Sequence, residues 1–313
     1  MKLTPKVAAV IVTYNRLEKL RLTLEQTLAQ PFYKVIVINN ASTDGTADYL
    51  RGLTDPRLDI VQQTENTGGA GGFAQGFKKA AQEGQADWLV CYDDDAYPAP
   101  DALARFMELA PGPDVGGVAA AVYYPDGSIC PMNRPGMDIF RSPLSVAKAF
   151  LSRASSTGMS YAAYEGHVPV EVCFSSFVGL FVRCDLIRGV LGLPRAELFV
   201  YRDDSLYSLA LTRAGYKLLF APDIRFVHAC STPSSGKRVY DPVWKAYYII
   251  RNDIVFFKEF AGLYFYLILP LLLAKHLAPY NAYSDKKGFL KIFGFALTDG
   301  MKSSFSRQIN RCS

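Results

Sequence analysis

This 313-residue chain has no long run of like charge, no internal repeat and no low-complexity stretch. Its 34 basic and 29 acidic residues leave a formal net charge of +5. That suits an anionic substrate or a membrane surface but falls short of a nucleic-acid binder, so no nucleic-acid partner is expected. Its six cysteines (Cys91, Cys130, Cys173, Cys184, Cys230, Cys312) show no C-x-x-C spacing. They read as buried, reduced thiols and not as a zinc site or disulfide framework. Histidine is scarcer still, with three residues. No apolar run reaches the roughly 20 residues needed to cross a bilayer. The N-terminal run at residues 7–12 is too short for a signal peptide and lacks a cleavage site, so a cytosolic protein is expected. Half the composition is hydrophobic, which supplies a core for one large domain or two small ones.

What is present concentrates at one point. Five mostly apolar residues, 88–92, read as a buried strand and run straight into Asp93, Asp94 and Asp95. Adjacent carboxylates raise each other's pKa and resist desolvation, so the cluster calls for a counter-charge. The usual one is a hard divalent cation, which takes oxygen ligands and brings phosphate oxygens with it. Side chains alternate along an extended chain, so Asp93 and Asp95 face one way as a metal-binding pair, leaving Asp94 for another contact. The plainer alternative is an acidic turn capping the helix near Pro100. Asp101 already occupies that first turn, so three more acids are surplus to capping.

Strand signals at residues 7–12, 35–38, 58–63, 88–92 and 118–123 alternate with helical ones at 17–29, 71–83 and 100–109, and a short helix opens after 41–46. This rhythm predicts an α/β fold: a Rossmann-like, mostly parallel sheet with helices on both faces. Ligands of such sheets sit at the carboxyl ends of the strands. Thr13 to Arg16, Asn39-Asn40, the glycine loop and the Asp triplet all fall there. Residues 126–170, rich in proline, glycine and serine, read as an insertion, partly helical at 144–151. Beyond it, 172–177, 180–182, 217–220 and 224–227 read as strands and 205–214 as a helix. After Asp241 the chain is aromatic and helical.

Three further motifs carry chemistry. The glycine loop at 66–76, with Gly68 and Gly69, follows the third strand and opens a helix; successive glycines let the backbone approach a ligand closely, and a helix N-terminus favours an anion. A tight turn for helix–strand packing is the equal alternative. Residues 69–74 also satisfy a dinucleotide pattern, the sole support for a nicotinamide-dependent oxidoreductase; that pattern belongs on the first strand of its unit. Asp203 and Asp204 precede an apolar helix; one suffices as its cap, and a second carboxylate at a helix start in a cleft can act as general base for a hydroxyl. His228 ends a strand-like run, and an imidazole complements two carboxylates around a divalent ion.

In this order, Val12-Thr-Tyr-Asn-Arg16, Asn39-Asn-Ala-Ser-Thr-Asp-Gly-Thr46, Asn66-Thr-Gly-Gly-Ala-Gly-Gly-Phe73, Asp93-Asp-Asp95, Arg202-Asp-Asp-Ser-Leu-Tyr207 and His228 resemble the family 2 inverting glycosyltransferases of the GT-A fold. The glycine loop and the two acidic motifs look most like bacterial galactofuranosyltransferases, with rhamnosyltransferases a near neighbour. The resemblance covers about residues 7–230. It implies a catalytic domain at 1–240, with 126–170 an acceptor-side insertion, followed by a helical region at 241–313. It also implies a Mn2+ or Mg2+ ion on Asp93, Asp95 and His228, and Asp204 as catalytic base. Thr13, Asn15 and Arg16 would border the nucleotide. Many relatives carry an Asp after the second strand that pairs with uracil; Asn39 and Asn40 stand here, and an Asn carbonyl accepts the same bond without charge assistance.

The function expected is therefore transfer of galactofuranose from UDP-galactofuranose to a lipid-linked or polysaccharide acceptor at the cell surface, with dTDP-rhamnose the alternative donor. A glycan-binding subunit without turnover is the non-enzymatic alternative. Asp94 is left for donor contact, and Lys237 and Arg238 would fold over the diphosphate. The apolar stretch 260–274, broken by Pro270 and surrounded by Lys258, Lys275, Lys286, Lys287 and Lys291, suits either the inner membrane interface or a buried hairpin or subunit contact. A homo-oligomer is compatible with the latter.

Overall fold

The computed structural model describes residues 4–140, 142, 145, 158–230, 239–307 and 309. They form two compact units, one of 1–138, 156–196 and 204–232, the other of 139–155, 197–203 and 233–313.

The first unit is built on a mixed sheet. Strands β1 (Val7–Thr13), β2 (Lys34–Asn39), β3 (Leu58–Gln62) and β4 (Trp88–Asp93) pair in parallel in the order β3-β2-β1-β4. β8 (Leu180–Arg183) then enters antiparallel between β4 and β6 (Val115–Tyr123). β6 runs parallel to β9 (Lys217–His228), which also carries β5 (Ala96–Pro98) and β7 (Val170–Val172) as antiparallel partners. All seven residues of β1 are buried. Its near-continuous apolar run reflects cover on both faces. Ile11, Val37 and Val90 face one core with Leu20 and Leu24 of α1 (Leu17–Leu28), Leu50 of α2 (Thr46–Arg51) and Phe106 of α4 (Ala102–Leu109). Val10, Val12 and Ile38 face the other, with Phe73 and Phe77 of α3 (Gly68–Phe77) and Tyr207 and Leu211 of α5 (Asp203–Arg213).

Three expectations shift. The helix expected at 71–83 is α3, begun three residues earlier at Gly68, followed by a π-helical turn over Lys78–Glu83. A Cβ on Gly72 would lie 2.4 Å from Val12 Cγ1, and one on Gly76 2.2 Å from Val10 Cγ1. These glycines, poor helix formers alone, are what lets the helix lie directly on β1. The runs at 217–220 and 224–227 are one twelve-residue strand whose register slips against β6 between Ala120 and Ala121. The strand at 172–177 is confined to β7; Ser175 instead gives its N–H to Ser208 Oγ of α5 at 2.9 Å. The helical stretch expected at 144–151 lies almost wholly outside the described residues.

The second unit gathers α6 (Trp244–Ala261), α7 (Phe265–Leu277) and α8 (Lys286–Lys302) with the loop 197–203. Its core is aromatic, including Phe199, Tyr247, Tyr248, Phe265 and Phe289. α7 continues through Pro270 instead of breaking there. Helical structure from Trp244 to Ala282, 39 residues, is long and apolar enough to cross a membrane. The apolar run at 260–274 is itself no longer than the sequence shows; the junction of α6 with α7 is what lengthens the helical stretch. Length alone does not select lipid, since soluble core helices meet the same criterion, and α6 buries Arg251, Asn252 and Asp253 within this unit.

Candidate active site

The acid triplet closes β4 at the carboxyl end of the parallel strands. Right after it β5 turns back along the end of β9, placing Ala96 opposite His228, and Ala229 N donates to Asp95 O at 2.8 Å. This pairing explains how residues 133 positions apart meet: His228 Nε2 lies 3.2 Å from Asp95 Oδ1. Ligand atoms of Asp93, Asp95 and His228 all lie within 4.8 Å of one another. Two carboxylate oxygens and an imidazole nitrogen form a donor set that fits Mn2+ or Mg2+. The strand ends at Asp93 and the next two residues turn, so the expected strand alternation does not place Asp94: its Oδ2 accepts from Tyr14 N at 3.3 Å, and its Oδ1 is 3.5 Å from Arg16 Nη1, which Asp95 also reaches.

The other ring nitrogen is held as well. His228 Nδ1 sits 2.8 Å from Asn133 Oδ1, and Asn133 Nδ2 donates to Ser176 Oγ at 2.9 Å. With Nδ1–H donated to the amide oxygen, Nε2 is the nitrogen turned toward the acids: it donates to Asp95 while the imidazole is charged, and its lone pair is the one a bound ion would take. Nothing around Asn133 in the proline-rich segment marks it in the sequence. Cys130 and Cys230 also approach the ring, and their sulfurs and a His228 nitrogen lie within 4.8 Å of one another. The cysteines that sequence spacing scattered thus partly converge. A neutral imidazole offers one lone pair, so this sulfur set and the carboxylate pair compete for His228.

Part of the counter-charge comes from basic side chains of the chain itself. Asp95 Oδ2 is 2.8 Å from Arg16 Nη1 and 3.1 Å from Lys19 Nζ. Lys19, three residues past Arg16 on the first turn of α1, was missed by the motif reading. Burial and the neighbouring Asp95 push the Asp93 carboxyl up to about 7. Burial raises Asp94 to about 6 despite Arg16. Burial would also raise Asp95, but the hydrogen bond and charge of His228, with Arg16 and Lys19, hold it well below the usual carboxylate range. His228, which burial alone would lower, is lifted to about 10 by Asp95 and Asp93. Negative charge is incompletely compensated at Asp93 and Asp94.

The loops around the triplet have unequal roles. Asn39 and Asn40 are fully buried. Asn39 Nδ2 donates to Gln62 Oε1 at 2.8 Å and its Oδ1 accepts from Ser42 N at 3.1 Å. Asn40 Nδ2 donates to Gly68 O at 2.9 Å and its Oδ1 accepts from Thr67 N at 3.0 Å. Both amides brace neighbouring loops, and the expected base contact meets groups already engaged. Asn15, at φ 52°, accepts from Thr43 N at 2.7 Å and braces the same region. Thr13 is buried at the end of β1. The glycine loop divides: Gly71, Gly72 and Gly76 have no room for a side chain, Gly68 has φ +73°, and a Cβ at Gly69 would meet nothing within 4 Å. Gly68 and Gly69 are the pair at the helix start. Lys237 and Arg238 lie outside the described residues.

Asp203 and Asp204 begin α5 as expected. Asp203 is buried; Asp204 is half-exposed, with Oδ1 accepting from Ser205 Oγ at 3.0 Å. Tyr207 anchors the helix, packing edge-on against Phe77 of α3 at 5.2 Å between centroids.

Known proteins match this chain. The profile described as "Glycosyl transferase family 2" matches residues 8–162. Galactofuranosyltransferase GlfT1 of Mycolicibacterium smegmatis is 28% identical over 80% of this chain and 82% of its own length. Undecaprenyl-phosphate mannosyltransferase of Micrococcus luteus is 36% identical over 33% of this chain and 43% of its own. Among solved structures, mannosyltransferase PcManGT from Pyrobaculum calidifontis in complex with GDP-Man and Mn2+ superposes with a TM-score of 0.57 at 18% identity, covering 96% of this chain and 88% of that one. At that identity the likeness concerns the fold.

Proposed function

Because the chain belongs to the family 2 glycosyltransferases of the GT-A fold, we propose that it transfers galactofuranose, with inversion, from UDP-galactofuranose to a hydroxyl of a lipid-linked cell-surface glycan. The carrying observation is the cluster of Asp93, Asp95 and His228 at the strand ends, with donor atoms within 4.8 Å of one another. Its oxygen-rich set matches a divalent ion that would neutralise a departing diphosphate. The sugar is supported by the GlfT1 relative, which is alike over most of both chains.

Each residue takes one part in this reading. Asp93, Asp95 and His228 Nε2 hold the ion, with Asn133 fixing the imidazole. Arg16 and Lys19, which reach the acids from the solvent side, add positive charge along the diphosphate. Gly68 and Gly69 present backbone to the donor, with Thr13 bordering the nucleotide and Asp94 bonding the sugar or ribose. Asp204 takes the proton of the acceptor hydroxyl as that oxygen attacks the anomeric carbon opposite the leaving diphosphate. Positioning and charge neutralisation provide most of the rate.

Mass spectrometry of products from UDP-galactofuranose, dTDP-rhamnose and GDP-mannose, each with Mn2+ and a lipid-linked acceptor, tests the proposal. Transfer from UDP-galactofuranose alone is expected. Transfer from dTDP-rhamnose with none from UDP-galactofuranose overturns the donor assignment.

A further inference from the structure

One group of buried polar side chains lies outside the site described above. On α6, Arg251, Asn252 and Asp253 are consecutive and all but fully buried. Consecutive residues on a helix point in different directions, yet these three converge on one loop, 197–203. Arg251 Nη2 donates to Leu198 O at 2.9 Å and Glu197 O at 3.3 Å. Asn252 Nδ2 donates to Val200 O at 2.8 Å, Tyr201 O at 2.9 Å and Leu198 O at 3.1 Å. Arg251 Nε donates to Asn252 Oδ1 at 2.8 Å, which fixes the amide's orientation. Asp253 Oδ1 takes Arg202 Nε at 2.6 Å, and the guanidinium lies over the Phe256 ring at 4.6 Å.

The clasped loop is not relaxed. Phe199, Tyr201 and Arg202 have φ of 66°, 69° and 66°, the left-handed region that side-chain-bearing residues rarely enter. Three such residues in four persist only where surroundings hold them, and they concentrate near functional centres. The chain leaves Arg202 directly into Asp203 and Asp204. A buried arginine is also an inefficient way to gain stability, since an apolar side chain of similar volume is often as good or better. Carbonyl recognition at four points does something an apolar residue cannot: it sets the path of the backbone.

We propose that Arg251, Asn252 and Asp253 are positioning residues for transfer, clasping the strained loop 197–203 so that the acid opening α5 is presented in its working orientation. This rests on the reading of Asp204 as base. The triplet touches neither donor nor acceptor; it acts through the loop backbone. A side chain meant only for packing has no reason to move the chemical step while leaving donor binding alone.

The test compares Asn252→Ala, Arg251→Lys, Asp204→Asn and the Asn252→Ala/Asp204→Asn double variant in the full-length protein. Transfer kcat, affinity for UDP with Mn2+, thermal melting and amide exchange over 197–203 are measured. Asn252→Ala should lower kcat by about 10²-fold, as for a misplacement of about 1 Å, with UDP–Mn2+ affinity within about twofold and faster exchange confined to the loop. Arg251→Lys keeps charge and stem but not the fork. It should show the same pattern more mildly, and it carries the test if Asn252→Ala does not fold. In the Asp204→Asn background Asn252→Ala should add no further loss. Unchanged kcat in the clasp variants, or a full additional loss in the double variant, overturns the proposal while leaving the base assignment standing. Full transfer by Asp204→Asn overturns the base assignment itself, and with it the group the clasp is said to present.

Discussion

Two clusters of buried charge among the described residues are balanced in opposite ways. At the end of β4, three carboxylates meet Arg16, Lys19 and His228; Asp95 takes most of that positive charge, and Asp93 and Asp94 titrate near neutrality. Inside the helical unit one carboxylate, Asp253, faces Arg202 at 2.6 Å, His276 at 3.0 Å and Lys275 at 3.5 Å. Burial opposes its ionisation, but Arg202 and then His276 and Lys275 hold it well below the usual carboxylate range. A cluster left short of positive charge is poised to take a cation. One with positive charge to spare is a staple. Burial and residue type alone would not separate them; the balance of charge does.

The sharpest way to break this comparison is at the first cluster. Asp93→Ala or Asp95→Ala, or excess chelator on the native protein, should remove transfer altogether while the melting curve stays cooperative. Full turnover in chelator would mean that Arg16 and Lys19 suffice and that the carboxylates are not metal ligands. Next in size, Asp204→Asn should lower transfer by about 10² to 10⁴-fold with donor binding kept, and Asp203→Asn should be milder. The reverse ranking would exchange the roles of the two acids.

Much of this was legible beforehand because the informative signals were local. The strands of the parallel half and the acid triplet at the end of one of them follow from a few adjacent residues. What was not legible depends on distant pairing. Lys19 and Asn133 carry no motif, and only the return of β5 along β9 brings the triplet to His228. Asn39 and Asn40 stand as nucleotide contacts by resemblance alone, and the bonds they also make to Gln62, Ser42, Gly68 and Thr67 rest on loop pairings that no local motif shows. The glycine loop held two functions in one string, packing at Gly72 and Gly76 and an open helix start at Gly68 and Gly69, and only the position of β1 separates them. Nothing beside Arg251-Asn252-Asp253 in the sequence marks their role, since the loop they hold lies some fifty residues earlier.

The second cluster predicts a pH dependence of opposite origin. Asp253 has a folded pKa below its unfolded value of about 3.9. Its contribution is therefore fully present above about pH 5 and is lost as pH falls through 4 and below. Replacing it with Asn leaves Arg202 and its neighbours without their counter-charge, at a cost of about 3 kcal/mol at neutral pH. Urea unfolding between pH 3 and 7 should show native stability falling toward acid, with Asp253→Asn falling less steeply over the same range. Parallel curves would remove Asp253 as the staple and with it half of the contrast.

The smallest effect concerns the outward side of that same unit. While α6 turns its charges inward, α7 and its preceding turn leave Leu263, Tyr266, Leu267 and Leu271 exposed, Leu263 by 90%. Spacings of three, one and four residues set these side chains on one helical face. Of the five lysines around the stretch, two are engaged within the unit: Lys258 donates to Met301 O at 2.9 Å, and Lys275 lies 3.5 Å from Asp253. Lys286, Lys287 and Lys291 of α8 remain exposed. An apolar face with exposed lysines is what an anionic membrane interface would take. Each lysine near such a surface would contribute about 1 kcal/mol, so docking through the three is expected to be reversible. Sedimentation with anionic vesicles at low salt should pellet the protein, and high salt or Lys→Glu at the three positions should release it. Recovery in the supernatant at low salt would mean that the exposed face meets protein. Retention through high salt and alkaline washing would mean that the helical stretch from Trp244 to Ala282 inserts, and that the buried triplet does not keep α6 out of lipid.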